Sequence, residues 1–127
     1  MNQVDSSAYL EYFQDAPNAE IFAPIIENVA EVIVSSISIY EVFKKMKNDL
    51  GLVPAEEAVM HMKQSKMIDF DFELALIAAR FSTQYKLPMA DSMIYATAHK
   101  YGAILWTQDK HFDGLPGVQF IAKVVSP

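Results

Sequence analysis

Apolar residues along the chain alternate between two rhythms. Short, β-branched runs at Glu31-Val32-Ile33-Val34, Ala103-Ile104-Leu105-Trp106 and Val118-Gln119-Phe120-Ile121 read as buried strands. Met67-Ile68-Asp69-Phe70 is a weaker strand candidate, and Met1 to Val4 forms the start of another, short and half polar. Between these runs the apolar positions recur at helical spacing. Ser6 to Phe13 and Ala19 to Asn28 are amphipathic, and Ser38 opens a helix to about Asn48, with Gly51 suited to stopping it. Pro54 fits the first turn of a helix ending near Ser65. Asp71 to Tyr85 carries a broad apolar face through Phe72, Leu74, Ala78 and Phe81. Pro88 sets up a helix from about Ala90 to Tyr101, followed by Gly102 at its C-terminal stop. Strands separated by helices predict an α/β fold with a parallel sheet covered on both faces. In such sheets the active crevice lies beyond the carboxyl ends of the strands.

At 127 residues and 52% hydrophobic, the chain has the material for one packed core, and no repeat or linker divides it. One domain over residues 1–127 is expected. The absence of cysteine rules out disulfides and thiolate metal ligands, and fits a reducing compartment. The first residues have neither a basic nor an apolar leader, and no apolar run approaches the roughly 18 residues that span a bilayer. A cytoplasmic location without membrane association is the expectation. The net charge of −6 opposes tight binding of a nucleic-acid backbone by bulk electrostatics. Chemistry on a phosphodiester would need cations to bridge.

That requirement makes the acids at the ends of elements worth weighing singly. Asp5 directly follows the first strand and suits a helix N-cap. Glu41 closes Ser38-Ile39-Tyr40-Glu41, a Ser-x-x-Glu capping box, just after a strand. Asp91 lies in the first turn after Pro88, where the helix dipole favours an acid; among apolar neighbours it would need a partner if it faced inward. Asp109 follows the strand ending at Trp106 and suits a turn. Each acid alone has a sufficient structural reason. Together, Asp5, Glu41, Asp91 and Asp109 fall on one edge of the predicted sheet. Carboxylates converging there repel one another unless a cation sits between them. Oxygen ligands select Mg²⁺ or Mn²⁺, which suit in-line attack of water on a phosphodiester.

At these four places the sequence resembles the PIN-domain ribonucleases, and within them the VapC-type toxins of bacterial and archaeal toxin–antitoxin pairs. Leu87-Pro88-Met89-Ala90-Asp91-Ser92-Met93-Ile94-Tyr95-Ala96-Thr97-Ala98 is similar to the family's Asp-led helix with its small-residue face. Val4-Asp5-Ser6-Ser7 resembles the opening Asp with its hydroxyl residues, and Ile37 to Val42 resembles the motif ending in the family Glu, here Glu41. Leu105 to Phe112 is similar to the closing Thr-x-Asp-x-x-Phe, which places Asp109 as the last acid. Asn2 and Gln3 replace an apolar run, and Trp106 a smaller aliphatic. The resemblance implies a PIN-like three-layer α/β/α sandwich with a central parallel sheet and Mg²⁺- or Mn²⁺-dependent RNA cleavage. It further implies a cognate antitoxin as partner and a homodimer.

Other residues carry lesser claims. Thr107 is placed to bond a ligating carboxylate or to cap a turn. Lys44, Lys45 and Lys47 could meet RNA phosphates or form a solvated helix face. His61, His99 and His111 are spread singly, with none assigned to a metal, and Tyr9, Tyr12, Phe13 and Phe22 read as core or partner surface. Two other readings stand beside the nuclease. A receiver-like phosphoacceptor domain would need an acceptor Asp ending a central strand, which Gly51 to Glu56 does not offer. A non-catalytic PIN-like scaffold would bind RNA or protein without cutting.

Overall fold

The computed structural model describes residues 1–125; Ser126 and Pro127, which the expected domain includes, lie outside the described residues. Strand β1 (Asn2–Val4) is followed by helices α1 (Ser6–Phe13) and α2 (Ala19–Glu27), and β2 (Val32–Ser35) by α3 (Ser36–Leu50) and α4 (Leu52–Met62). Strand β3 (Lys66–Ile68) precedes α5 (Phe72–Tyr85) and α6 (Met89–Lys100), and the described chain closes with β4 (Ile104–Thr107) and β5 (Val118–Phe120). All neighbouring strands pair in parallel, in the order β3-β2-β1-β4-β5. The chain runs outward from β1 through β2 to β3, then returns to the other side of β1 for β4 and β5. Connections therefore diverge between β1 and β4, and the crevice of a doubly wound sheet opens at the carboxyl ends of those strands.

The apolar alternation of β2 assigns the two faces. Val32 and Val34 pack with Ala8 and Tyr9 of α1, Phe22 and Ile26 of α2, and the inner residues of α3 and α4. Ile33 points the other way, into a core with Leu74, Ala78, Ile94 and Phe112. Helices α1–α4 cover one face and α5–α6 the other, giving the expected α/β/α sandwich. Polar residues in β1 have specific partners. Buried Gln3 donates from Nε2 to the Ile94 carbonyl at 3.0 Å, and Asn2 Oδ1 accepts from Trp106 Nε1 at 3.0 Å. The two unusual residues Asn2 and Trp106 thus account for each other across the β1–β4 pair.

Several boundaries differ from the sequence reading, one with consequences for the site. Helix α3 begins at Ser36, two residues before Ser38, because Ser35 in extended conformation supplies the cap: its Oγ accepts from Ile37 N at 3.2 Å. Ser38 then lies inside the helix with a buried, unpartnered hydroxyl. The Ser38–Glu41 capping box does not form, and Glu41 is free for another role. Glu31 belongs to a short 3-10 turn and not to the strand, and the third strand is Lys66–Ile68, a residue earlier and shorter than Met67–Phe70. Gly51, at φ +101°, joins α3 directly to α4, which begins at Leu52 and stops at Met62, short of Ser65.

Candidate metal centre

Each predicted acid is delivered to the carboxyl edge by a different element. Asp5 is the residue after β1, Glu41 lies in the second turn of α3 after β2, and Asp109 follows β4. Asp91 sits in the first turn of α6, which runs back along the sheet so that its N-terminus meets the same edge. All four line one open cleft of about 290 Å³.

Asp5 occupies the N-cap position of α1, yet its side chain caps nothing. Its backbone carbonyl accepts from Ala8 N and Tyr9 N, which leaves the carboxylate for other partners. Ser7 Oγ and Thr107 Oγ1 both donate to the same oxygen, Oδ2, at 2.7 and 2.8 Å. Each hydroxyl also accepts from the loop after β4: Ser7 from Gln108 N at 3.2 Å and Thr107 from Asp109 N at 2.9 Å. Two hydroxyls thus tie Asp5 to the loop that carries Asp109. Glu41 accepts from Ser6 Oγ at 2.7 Å. The pair Ser6-Ser7 therefore serves two carboxylates, one hydroxyl each.

The other half of the cleft is built differently. His111 Nδ1 lies 2.9 Å from Asp91 Oδ2 and 3.0 Å from Asp109 Oδ1. Asp91, Asp109 and His111 can each present one ligand atom within 4.8 Å of the others. Asp109 also makes the local bond expected of a turn residue, accepting from His111 N at 2.9 Å. His111 was not assigned from sequence; its one signal is the Asp109-x-His111 spacing inside a short 3-10 turn. His61 and His99 lie elsewhere, packed on Tyr12 and Phe13 and on Phe81.

Electrostatics separate Asp5 and Asp91 from ordinary surface acids. Burial pushes the Asp5 carboxyl up to about 6, opposed by the Ser7 and Thr107 hydroxyls and assisted by repulsion from Asp109 and Glu41. Burial likewise raises Asp91 to about 7, with Asp109 and Asp5 adding repulsion and His111 pulling the other way. Among the described residues no Lys or Arg pairs with any of the four acids. Lys45, at the rim, pairs instead with Asp49 at 3.4 Å, and Lys44 lies over the Tyr40 ring. Close carboxylates with hydroxyl support and no fixed cation match the donor set of a hard divalent ion.

In structure, the chain is similar to a chain of a toxin–antitoxin complex from Klebsiella pneumoniae (TM-score 0.82, 22% identity, covering 98% of this chain and all of that one). It is also similar to a chain of DNA-bound VapBC from Salmonella typhimurium (TM-score 0.76, 18% identity, 96% and 98% covered). A third is VapC20 of Mycobacterium tuberculosis, described as a sarcin-ricin loop cleaving toxin (TM-score 0.77, 15% identity, both chains fully covered). At these identities the likeness concerns the fold. No curated protein sequence matches the chain. The sequence model of the PIN domain matches residues 3–118, which take in all four acids and run from within β1 to the start of β5: the chain belongs to the PIN-domain family.

Proposed function

We propose that residues 1–127 act as one nuclease domain that hydrolyses RNA phosphodiester bonds with Mg²⁺ or Mn²⁺, as the toxin of a toxin–antitoxin pair. The observation that carries this reading is the convergence of Asp5, Glu41, Asp91 and Asp109 on one cleft, with no Lys or Arg paired to them among the described residues. When bound, a hard divalent cation supplies the positive charge that phosphodiester hydrolysis needs at an acidic centre. The chain's own residues prepare the place. Ser7 and Thr107 fix Asp5 through one oxygen, so the other is left for the cleft. Ser6 orients Glu41, and the β4 loop brings Asp109 opposite Asp91. With a net charge of −6, the substrate phosphate is drawn by cations held in the cleft and not by the surface at large.

Support for the toxin role comes from the structural neighbours, which are components of toxin–antitoxin complexes and an RNA-cleaving toxin. The partner is then an antitoxin segment whose Arg or Lys enters the acidic cleft and pairs with its carboxylates. The protein works as a homodimer in the cytoplasm; among the described residues no helix is long and apolar enough to cross a membrane. The direct test is cleavage of RNA with Mn²⁺ or Mg²⁺, abolished by EDTA, in wild type and Glu41→Gln. Glutamine still accepts the Ser6 hydroxyl but removes the charge, so the variant should fold normally and lose most cleavage. If Glu41→Gln cuts RNA like wild type, Glu41 is no part of the centre; if wild type cuts none with either ion, the nuclease reading fails.

A further inference from the structure

Behind the cleft lies a polar cluster that the proposed chemistry does not use. Glu11, Asn18 and Gln108 are 5%, 4% and 8% exposed. They form a closed circuit. Glu11 Oε2 accepts from Asn18 N at 2.8 Å, Glu11 Oε1 accepts from Gln108 Nε2 at 2.9 Å, and Asn18 Nδ2 donates to Gln108 Oε1 at 3.2 Å. Asn18 Nδ2 also donates to the Ala122 carbonyl at 3.0 Å, tying in the segment after β5.

Support of the helices accounts for only part of Glu11. It lies in the last turn of α1, where that helix's dipole disfavours an acid, and only Oε2 serves the start of α2, by accepting from the N–H of its N-cap residue Asn18. No cation pairs with it among the described residues, and buried charge without a counter-charge is costly. What the carboxylate does is hold Gln108, and Gln108 is the residue between Thr107 and Asp109. The backbone N–H of Gln108 bonds Ser7 Oγ, which bonds Asp5. One residue is therefore gripped on both sides: by its side chain from Glu11 and Asn18, and by its backbone from the Asp5 hydroxyl relay.

We infer that Glu11, Asn18 and Gln108 form a positioning latch that sets Asp109 relative to Asp5 for cation binding. The inference rests on the metal-centre reading above. The latch touches neither cation nor substrate, and acts only by fixing the loop between two ligating carboxylates.

The hydrogen-bond directions supply a test. In Glu11→Gln alone, an amide oxygen kept on Asn18 N turns the new NH₂ against the NH₂ of Gln108. In Gln108→Glu alone, two buried carboxylates face each other. Combining them restores the circuit with one bond reversed, because the new amide at position 11 donates to the new carboxylate at position 108. That carboxylate still accepts from Asn18 Nδ2. Mn²⁺ affinity, measured by calorimetric or paramagnetic titration below the melting temperature of each variant, is the readout. Each single variant should bind Mn²⁺ roughly 10–100-fold more weakly than wild type, as losses of outer support typically cost. The double variant should return to within about threefold of wild type, the coupling expected of contacting residues. A purely structural cluster would lower the metal-free melting temperature yet leave Mn²⁺ affinity at the wild-type value, which overturns the latch. Should a single variant not fold, Asn18→Ala removes only the Nδ2 bonds, and wild-type Mn²⁺ affinity there overturns it equally. Wild type failing to bind Mn²⁺ at all would be a different result: it removes the metal centre itself, and the latch with it.

Discussion

Asp5 and Asp91 face the same cleft, and both carboxyls are pushed well above their ordinary range, but their supports are of different kinds. Asp5 is 2% exposed and held by two neutral hydroxyls, which fix its position without supplying charge. Asp91 is held by an imidazole that is itself 57% exposed and reaches Asp109 as well. One half is rigid in geometry and uncompensated in charge. The other has a replaceable, solvent-exposed imidazole as its neighbour. The difference shows how an acidic centre can be preorganised and yet stay receptive: the shape is set by groups that do not compete with a cation, and the competing group is at the rim.

The largest expected effect comes from removing a charge from either half. Asp5→Asn and Asp91→Asn should each lower RNA cleavage by more than about a hundredfold, exceeding the cost typical of outer support. Stability should move the other way. Without metal, each substitution relieves repulsion among close carboxylates, so the EDTA melting temperature should stay level or rise. Wild type should gain on the order of 2.7 kcal/mol from Mn²⁺ at a hundred times its dissociation constant, and the variants should lose most of it. Were Asp91→Asn to melt lower in EDTA, with both proteins indifferent to Mn²⁺, the acids would be independent supports of their own elements.

Next in size is the pH dependence of the metal-free fold. For both carboxyls the folded-state pKa, about 6 for Asp5 and about 7 for Asp91, lies above the unfolded value of 3.8. The folded protein therefore binds protons more tightly than the unfolded chain over that interval. This contribution to stability is complete below the unfolded value and is lost as pH rises through about 6 and then about 7. Stability in EDTA should consequently fall between about pH 5 and pH 8, by on the order of 4 kcal/mol or less. Saturating Mn²⁺ should oppose that fall, because ligands must be ionised to bind. A metal-free protein that becomes more stable across this range would break the picture of an uncompensated half.

How much of this was legible in the sequence follows from the range of the interactions. Strand and helix rhythm placed the sheet, and parallel topology placed four acids on one edge, because strand ends are fixed by the fold and not by side-chain detail. The supports were partly visible: Ser6 and Ser7 beside Asp5, and Thr107 two residues before Asp109, sit in motifs. The Ser38–Glu41 capping box competes with the metal-centre reading of Glu41 in the sequence because Ser38 matches the pattern, while Ser35, three residues earlier, takes the cap. A local pattern cannot choose between two serines when the end of a strand decides. The Thr107–Asp5 bond joins residues 102 apart, and Gln108–Glu11 joins residues 97 apart. Such pairings leave no periodic trace, which is why nothing in the sequence singles out Glu11 or Asn18.

The rigid half can be tested without touching a carboxylate. Thr107→Val keeps the shape of a fully buried side chain and removes one hydroxyl that bonds both Asp5 and the Asp109 amide. Leaving those groups unsatisfied should cost about 1–3 kcal/mol of stability. The Asp5 carboxyl should also move higher, since a bond to its ionised form is lost. Chemical denaturation, together with a shift of the Asp5 carbon resonance with pH, measures both. A variant as stable as wild type with an unmoved Asp5 titration would mean that Ser7 alone holds the carboxylate.

The smallest effect is expected at His111, and it sharpens the comparison most. The ring bridges Asp91 and Asp109, but it is largely solvated, and an exposed ion pair contributes about 0–1 kcal/mol. His111→Ala should therefore change metal-free stability by less than about 1 kcal/mol. Its effect on Mn²⁺ affinity separates two roles that the geometry alone allows. A ring that merely neutralises the two carboxylates competes with the cation, so removing it should leave Mn²⁺ affinity unchanged or slightly tighter. A ring that ligates through a nitrogen adds to the donor set, so removing it should weaken binding by roughly tenfold or more. We expect the first outcome, because the imidazole lies at the rim and carboxylates are the harder donors for Mg²⁺ and Mn²⁺. Titration of wild type and His111→Ala with Mn²⁺ gives the check. A tenfold loss of affinity in the variant would instead move His111 into the metal centre beside Asp91 and Asp109.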